Sequence, residues 1–176
     1  MNREKAFSFV VNEVEALKAR VIANMRAEGA VASGNTIKSL KVVKYADGVK
    51  LVSAQRMPFG TLETGRRGGR IPHSFNMIIY DWMKQKGIHG QPIPYKTERP
   101  HKYTPQERGD RSLAWVISKH IKERGTSLYR KGGRNTIYSQ EIQKTIDKIN
   151  AKIVAIMKAE VVQTIKLNNP TTEVKQ

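Results

Sequence analysis

Apolar residues recur every three or four positions at both ends of the chain, and this spacing predicts two long amphipathic helices, 4–27 and 139–167. The N-terminal stripe consists of Phe7, Val10, Val14, Leu17, Val21 and Met25. The C-terminal stripe steps by four and three through Ile142, Ile146, Ile149, Ile153 and Ile156. The C-terminal helix would be about 40 Å long, given the rise per residue of an α-helix. We therefore expect the two helices to pack against each other or against a neighbouring subunit.

Three shorter elements are predicted between these helices. Two β-rich runs flank Asp47-Gly48, a dipeptide that favours tight turns, and together they predict a β-hairpin over 41–53. Helical spacing recurs over 74–86 and 112–124, and a glycine directly follows each of these segments.

The connections between these elements are rich in glycine, proline and arginine. Pro58, Gly60 and Thr61 disfavour a helix, so this part of the chain is predicted to be extended. Residues 89–111 hold four prolines without periodicity and are predicted to form a long loop. A second glycine- and arginine-rich connection, 125–139, follows the last middle helix.

These patterns predict a single α+β domain over 1–167, with a small antiparallel sheet packed with helices and with long N- and C-terminal helices. The polar residues 168–176 are predicted to be a disordered tail. Trp82 and Trp115 lie on the two amphipathic middle helices and are predicted to pack in the core of the domain. The chain has no run of about 18 apolar residues, so no membrane partner is expected.

Positive charge is concentrated in the middle of the chain. The net charge is +17, and residues 41–135 carry twenty Lys or Arg against seven Asp or Glu. Each flanking segment has a net charge of only +2. This uneven distribution favours an anionic partner, either nucleic acid or an acidic protein surface, over a charge that serves solubility alone.

Candidate chemistry centres on residues 58–72, which hold four glycines, three arginines and Glu63. The run lacks both the spacing and the strand–loop–helix order of a phosphate-binding loop. No second carboxylate forms a recognisable catalytic pair with Glu63. Glu63 is therefore predicted to form an ion pair, within a subunit or between subunits, with arginines such as Arg66 and Arg67.

Metal and thiol chemistry are not predicted. The chain has no cysteine, and its four histidines have no metal-binding spacing. No metal or other cofactor is therefore expected, and the protein is not expected to be an enzyme.

The order of several motifs resembles the small neck and tail-completion proteins of tailed bacteriophages. In many members a strand ends in a Tyr-Ala-x-x-x-Glu-x-Gly signature, and PFGTLETGRR aligns with it through Phe59, Glu63 and Gly65. The run IIYDWMKQKGI resembles a following helix that ends in Lys-Gly, and LAWVISKHIKERGT resembles a later helix that ends in Gly-Thr. The resemblance spans roughly 30–126. The chain departs from the family in having Phe59 at the tyrosine position and SLYRKGGRNTIYS instead of an Arg-Pro-Phe run.

The resemblance implies a structural virion protein, part of the head–tail connector (neck) or the tail-completion ring at the portal–tail junction. It implies a homo-oligomeric ring of six- or twelve-fold symmetry around the DNA path, assembled in the host cytoplasm with portal or adaptor and tail proteins as partners. On this basis, subunit contacts are expected at Phe59, Glu63, Gly65, Tyr129 and Arg130. DNA in the lumen, or an acidic protein partner, is expected to contact Arg66, Arg67, Arg70, Lys131 and Arg134.

Two other functions stay open from the sequence, a basic nucleic-acid-binding module and a nuclease. A monomer that binds DNA tightly and with a steep salt dependence would indicate the first. Cleavage of DNA that needs a divalent metal and is abolished by Glu63→Gln would indicate the second.

Overall fold

The computed structural model describes residues 3–54, 56–97 and 101–168, and within them it contains seven helices and one two-stranded antiparallel sheet. The mixture of helices with a small sheet confirms the predicted α+β class. The predicted tail, 168–176, lies outside the described residues except for Asn168, where the last helix ends. In chain order the elements are α1 (Arg3–Ala27), α2 (Asn35–Ser39), β1 (Leu40–Lys44), β2 (Val49–Ser53), α3 (Arg56–Thr64), α4 (Phe75–Lys86), α5 (Pro105–Arg124), α6 (Ser127–Arg130) and α7 (Ser139–Asn168).

The two long terminal helices, α1 and α7, lie where the apolar spacing predicts them and pack against each other. Arg20 forms an ion pair with Glu141 at 2.8 Å, and Glu13 forms one with Lys148 at 2.6 Å. Between these two ion pairs, the residue number rises on α7 while it falls on α1, so the two helices are antiparallel. Hydrogen bonding to Lys144 outweighs burial and, together with Arg20, holds the pKa of Glu141 below its ordinary value.

β1 and β2 form the predicted hairpin, which turns at Asp47-Gly48. Its antiparallel register pairs Leu40 with Ser53 and Lys44 with Val49. Both strands contact α1, so one face of the hairpin covers that helix. The buried residues of this first core are Leu17, Val21, Met25, Leu40 and Ile137.

A second core lies between α4 and α5, which pack along each other. Its buried residues are Phe75, Ile79, Tyr80, Met83 and Ala114. Lys86, the last residue of α4, donates hydrogen bonds from Nζ to the carbonyl oxygens of Gly29 at 2.8 Å and Val31 at 2.5 Å. These bonds link the second core to the loop that follows α1.

The prediction of an extended segment around Pro58 is wrong, because α3 occupies Arg56–Thr64. Pro58 lies in the first turn of α3, where the backbone N–H that proline lacks would have no acceptor within the helix. The spacing of three between Phe59 and Leu62 brings both side chains against the first core. Tertiary packing therefore outweighs the low helix propensity of Gly60.

The helix predicted over 112–124 begins earlier, at Pro105, so the predicted loop is shorter than expected. Thr104 and Glu107 form a capping box ahead of it. Glu107 N–H donates to Thr104 Oγ1 at 3.1 Å, and Thr104 N–H donates to Glu107 Oε2 at 2.9 Å. Pro105 suits the first helical position because the N–H it lacks would have no partner there.

The segment 88–97 lies against α5 and is held there by the buried carboxylate of Asp110. Asp110 Oδ1 accepts hydrogen bonds from Gly90 N–H at 2.8 Å and from Gln106 Nε2 at 2.9 Å. Burial acts to raise the pKa of Asp110, but these hydrogen bonds and the nearby His89 ring lower it overall. The segment 88–97 is therefore fixed by specific contacts even though it has no regular secondary structure.

Met83→Ala is expected to lower the free energy of unfolding by about 2 to 5 kcal/mol, because it would leave a cavity in the second core. Met83 is only 1% exposed, whereas Met77 on the same helix is 37% exposed. Met77→Ala is therefore the matched control, and we expect it to cost clearly less. Chemical denaturation followed by circular dichroism measures both, and equal destabilisation by the two variants would contradict this assignment of the core.

Candidate functional site

The two glycine- and arginine-rich connections lie against each other, although 60 residues separate their contacting positions. Arg66 N–H donates to Thr126 Oγ1 at 2.9 Å, and Thr126 N–H donates to Arg66 O at 2.8 Å. Thr126 also caps α6, since its Oγ1 accepts a hydrogen bond from Tyr129 N–H. We call residues 65–70 together with residues 125–138 the loop junction.

Glycine is required where the two connections meet. Gly65 and Gly125 have φ values of 69° and 76°, which side-chain-bearing residues rarely adopt. A Cβ on Gly65 would lie 2.7 Å from Thr126 Oγ1, and nearer still to the backbone nitrogen of Tyr129. A Cβ on Gly125 would lie 2.6 Å from Arg66 O. These glycines therefore allow close contact between two backbones and form no phosphate cradle.

Glu63 fixes the start of α7. Its Oε1 accepts hydrogen bonds from the backbone N–H groups of Ile137 at 2.9 Å, Tyr138 at 2.6 Å and Ser139 at 3.0 Å. Its Oε2 accepts a short hydrogen bond from the hydroxyl of Ser139. The N–H groups at a helix start have no partner inside the helix and carry partial positive charge, so a carboxylate suits them well. The carbonyl of Glu63 also accepts a hydrogen bond from Arg134 N–H at 2.8 Å.

The ion pair predicted for Glu63 is wrong, because backbone amides and a hydroxyl take the place of arginines. Glu63 is only 3% exposed, so its carboxylate serves its own chain and is not available to a neighbouring subunit. Burial acts to raise its pKa, but the hydrogen bonds from Ser139, Tyr138 and Ile137 outweigh burial and lower it. Glu63 is therefore ionised at neutral pH and acts as a structural anion.

Of the other expected interface residues, Phe59 and Gly65 are half-buried, and Tyr129 and Arg130 are exposed. Phe59 stacks on Tyr138 with ring centroids 5.0 Å apart and packs against the first core. Gly65 touches the α6 backbone. Phe59 and Gly65 thus have contacts within the chain, while Tyr129 and Arg130 are exposed, and the predicted subunit interface stays a prediction.

The five residues expected to contact DNA or an acidic partner divide in the same way. Arg134 forms an ion pair with Glu28 at 2.8 Å and donates from Nε to Leu62 O at 3.1 Å, so it has partners within the chain. The Arg66 guanidinium donates to Arg70 O at 2.8 Å and lies over the Phe75 ring, so it also has partners within the chain. The three that remain exposed are Arg67, Arg70 and Lys131.

An open groove of 690 Å³ at the loop junction is bordered by Arg67, Arg130 and Arg134. Gly132 and Gly133 form part of its wall, with φ values of 86° and 82°. Two of the three arginines are exposed, so the groove presents positive charge to solvent. This arrangement suits a polyanion or an acidic protein surface, and it offers no carboxylate pair for acid–base catalysis.

A second groove, which sequence reasoning missed, runs along the outer side of α4 and α5 and has a volume of 840 Å³. Ile78, Trp82 and Val116 line it and are 51%, 38% and 51% exposed. Trp115 is 56% exposed, so the prediction that both tryptophans are core anchors is wrong. The sequence signal was the run of three large apolar residues at 115–117, which cannot all face one core. We call this surface the α4–α5 groove.

The last turns of α7 are also exposed. Among the described contacts, Lys148 forms the α7 ion pair with α1 nearest this end, and Lys152 lies over the Phe9 ring at 6.0 Å. On this antiparallel path, Arg3, the first described residue of α1, lies opposite about residue 158 of α7. We call residues 157–168 the α7 overhang. Its exposed apolar residues are Met157, Val161, Val162, Ile165 and Leu167.

Two features were not found in the described part of the chain. Residues 3–54, 56–97 and 101–168 contain no group of three or more His, Asp or Glu placed to hold a metal ion. Over the same residues, every helix is too short or too polar to cross a membrane. No protein-family model, no curated protein and no solved structure matches this chain.

Glu63→Gln is expected to lower the free energy of unfolding by about 1 to 3 kcal/mol at pH 7, because it removes a buried charge that accepts several hydrogen bonds. The folded-state pKa of Glu63 is lowered. The contribution of the Glu63 carboxylate to the free energy of unfolding is therefore complete above the unfolded-state pKa of about 4.3. It is lost as the pH falls through the folded-state pKa. The difference between wild type and variant should shrink below about pH 4.

Denaturation curves across this pH range measure the effect of Glu63. Glu123→Gln is a suitable control, because Glu123 is an exposed carboxylate near the end of α5. It should leave stability nearly unchanged. A Glu63→Gln variant with the stability and pH profile of wild type would contradict the capping role.

Proposed function

We propose that this protein is a structural subunit of a homo-oligomeric ring in the head–tail connector or tail-completion complex of a tailed bacteriophage, around the DNA path. The observation that most supports assembly is the pair of uncovered apolar surfaces, the α4–α5 groove and the α7 overhang. Surfaces of this kind on a single chain are typical of sites that another protein covers.

The form of the two surfaces favours a head-to-tail assembly. One is a concave groove between two helices, and the other is the exposed apolar face of a single helix. They are different surfaces, so a contact between them is heterologous and passes from one copy to the next. A heterologous contact closes into a ring when a whole number of equal rotations between neighbouring copies completes one full turn.

The resemblance to neck and tail-completion proteins supplies the specific setting for such a ring. Two residues of the matched signature have definite structural roles in this chain. Glu63 caps α7, and Gly65 permits the close contact with α6. This local architecture requires a glutamate two residues before a glycine, although here the two residues lie at the end of helix α3 and not at the end of the strand that the resemblance implies.

The exposed positive charge at the loop junction supports the proposed DNA path. Arg67, Arg70 and Lys131 are exposed at the loop junction, and among them only the carbonyl of Arg70 takes part in the contacts described for Arg66 and Arg134. Exposed arginines and lysines attract phosphate without reading sequence, which suits DNA that only passes through a lumen. In this proposal the protein is not an enzyme, and its partners are portal or adaptor and tail proteins.

The purified chain is expected to form closed rings of six or twelve subunits, alone or when mixed with its portal protein. Native mass spectrometry gives the subunit number, and negative-stain electron microscopy shows whether the particles are closed. The genes beside its own are expected to encode portal, capsid and tail proteins. A chain that stays monomeric with and without portal, yet binds DNA tightly, would instead indicate the nucleic-acid-binding module.

Replacing Arg67, Arg70 and Lys131 together with glutamine is expected to weaken binding to a short double-stranded DNA and to flatten its salt dependence. The slope of log affinity against log salt should fall by about 0.9 for each phosphate that the variant no longer neutralises. Fluorescence anisotropy over a salt series measures this slope. The control is the triple glutamine variant of three exposed lysines elsewhere, Lys5, Lys41 and Lys44. Equal slopes in the two triple variants would show that the loop junction has no special role.

A further inference from the structure

One face of α5 carries four cations with a tryptophan among them. Their positions step by three or four residues, so the side chains lie along one side of the helix. The members of this face, which we call the α5 stripe, are Arg108, Arg111, Trp115, Lys119 and Lys122. The stripe is about 21 Å long and holds no acidic residue. Within the described residues, no carboxylate forms an ion pair with any of its four cations.

The two arginines of the stripe are positioned by neutral groups. Arg108 donates a hydrogen bond from Nη1 to the carbonyl oxygen of Pro94 at 3.1 Å. The Arg111 guanidinium lies over the rings of Tyr80 and Tyr103, at 4.9 Å and 4.2 Å from the ring centroids. Carbonyl oxygens and aromatic faces orient a guanidinium without cancelling its charge. Both arginines are therefore held in place and keep a positive charge that can attract an anion.

The other end of the stripe meets the loop junction. Gly69 N–H donates to the carbonyl oxygen of Lys122 at 2.7 Å, which brings the end of α5 beside the segment that carries Arg67 and Arg70. Both of these arginines and Lys122 are exposed. The positive charge of the loop junction therefore extends along α5, and a chain of phosphates could follow it from one to the other.

Trp115 has an accessible ring in the middle of the stripe. Its side chain is 56% exposed, and Lys119 Nζ lies over the ring at 5.5 Å. The ring borders an open groove of 610 Å³, separate from the α4–α5 groove, which we call the Trp115 groove. Aromatic rings beside a line of cations are the arrangement by which proteins bind single-stranded nucleic acid, because phosphates meet the cations while bases stack on the rings.

The Trp115 groove also holds groups that can bind the edge of a base. His73 and Asn76 line it, and their side chains can donate and accept hydrogen bonds. Lys119 and Lys122 line it as well and can meet the phosphates on either side of a bound base. Of the described lining residues one is acidic, Glu123, and it is exposed. The groove therefore combines an aromatic face, polar groups and net positive charge.

We propose that the α5 stripe binds single-stranded nucleic acid, with phosphates along Arg108, Arg111, Lys119 and Lys122 and with one base stacked on Trp115 in the groove beside it. A duplex can meet the same cations, but its bases stay stacked on one another and do not reach the ring. An acidic protein segment can meet the cations but has no base to stack. This binding goes beyond the ring proposed above and does not depend on it.

Replacing the ring tests the stacking. Trp115→Leu keeps an apolar side chain at an exposed helical position, so folding should be unaffected. It should weaken binding of an oligothymidylate of about twelve nucleotides by at least about fivefold, the lower limit for loss of one base–aromatic stack. Trp115→Phe should keep most of the affinity. Fluorescence anisotropy of a labelled strand measures this, and a duplex of the same length should bind wild type and Trp115→Leu equally.

The matched control for the ring is Tyr45→Leu on the hairpin. Tyr45 is 45% exposed and Lys50 Nζ lies over its ring at 4.9 Å, so it is also an open ring beside a cation. Tyr45→Leu should bind the oligothymidylate like wild type. A folded Trp115→Leu variant with wild-type affinity for the oligothymidylate, or an equal loss in the two leucine variants, would overturn the proposal.

Replacing Lys119 and Lys122 together with glutamine tests the contact with phosphate. The slope of log affinity against log salt should fall by about 0.7 for each phosphate of a single strand that is no longer neutralised. The control is the same double replacement at Lys41 and Lys44, which are exposed lysines on the hairpin. Slopes that change equally in the two variants would contradict a specific path along α5.

The emission of Trp115 separates a stacked base from attraction between charges alone. The chain has two tryptophans, so Trp115 is the remaining one in a Trp82→Phe variant. Oligothymidylate should quench this emission, whereas an abasic strand of the same length and polyglutamate should not. Equal affinity for the abasic strand without quenching would show a surface for polyanions with no base site. Tighter binding of polyglutamate would show a surface for an acidic protein. Either result overturns the proposal.

These outcomes are independent of the ring. Closed rings of wild type that do not bind oligothymidylate would remove the single-strand site and leave the ring proposal standing. A monomer that binds oligothymidylate with quenching of Trp115 would keep the site and remove the ring.

Discussion

The hydrogen bonds that the Glu63 carboxylate accepts from the start of α7 are the constraint on which most of this fold depends. One oxygen takes three backbone N–H groups, and the other takes the hydroxyl of Ser139. A buried carboxylate without such partners would be costly, so α3 and the first turn of α7 must stay together. Ile137 is thereby held in the first core, and α7 leaves this point along α1. The direction of the longest helix thus follows from one side chain.

The same constraint explains why the glycine- and arginine-rich connections are architectural. Once Glu63 holds the start of α7, the connection from α5 to α7 must pass close to the residues after α3. Gly65 and Gly125 make this approach possible, and Thr126 exchanges hydrogen bonds with Arg66 across it. Arg134 completes the link with its ion pair to Glu28. The arginines left outside this network are those available to a partner.

Prediction from the sequence succeeds for the elements whose stability comes from local periodicity. It fails where contacts between residues far apart in the sequence determine the structure. The long helices and the hairpin follow from spacing and from Asp47-Gly48. The helix α3 was missed because its stability comes from packing of Phe59 and Leu62, which outweighs a poor local propensity. The capping box of Thr104 and Glu107 is a local signal that was present but overlooked. The partners of Glu63 lie up to 76 residues away, so no local pattern could reveal them.

The two uncovered surfaces have a consequence for where DNA would lie. Arg66 and Arg130 line the end of the α4–α5 groove, next to the loop junction that carries Arg67 and Lys131. A neighbour that covers the apolar part of the groove would leave Arg67 and Lys131 outside the contact, since neither residue lines the groove. Assembly would then leave each subunit with positive charge beside each subunit contact. In a closed ring this repeats at equal intervals around the assembly, a symmetric array that attracts the DNA backbone without fixing its sequence.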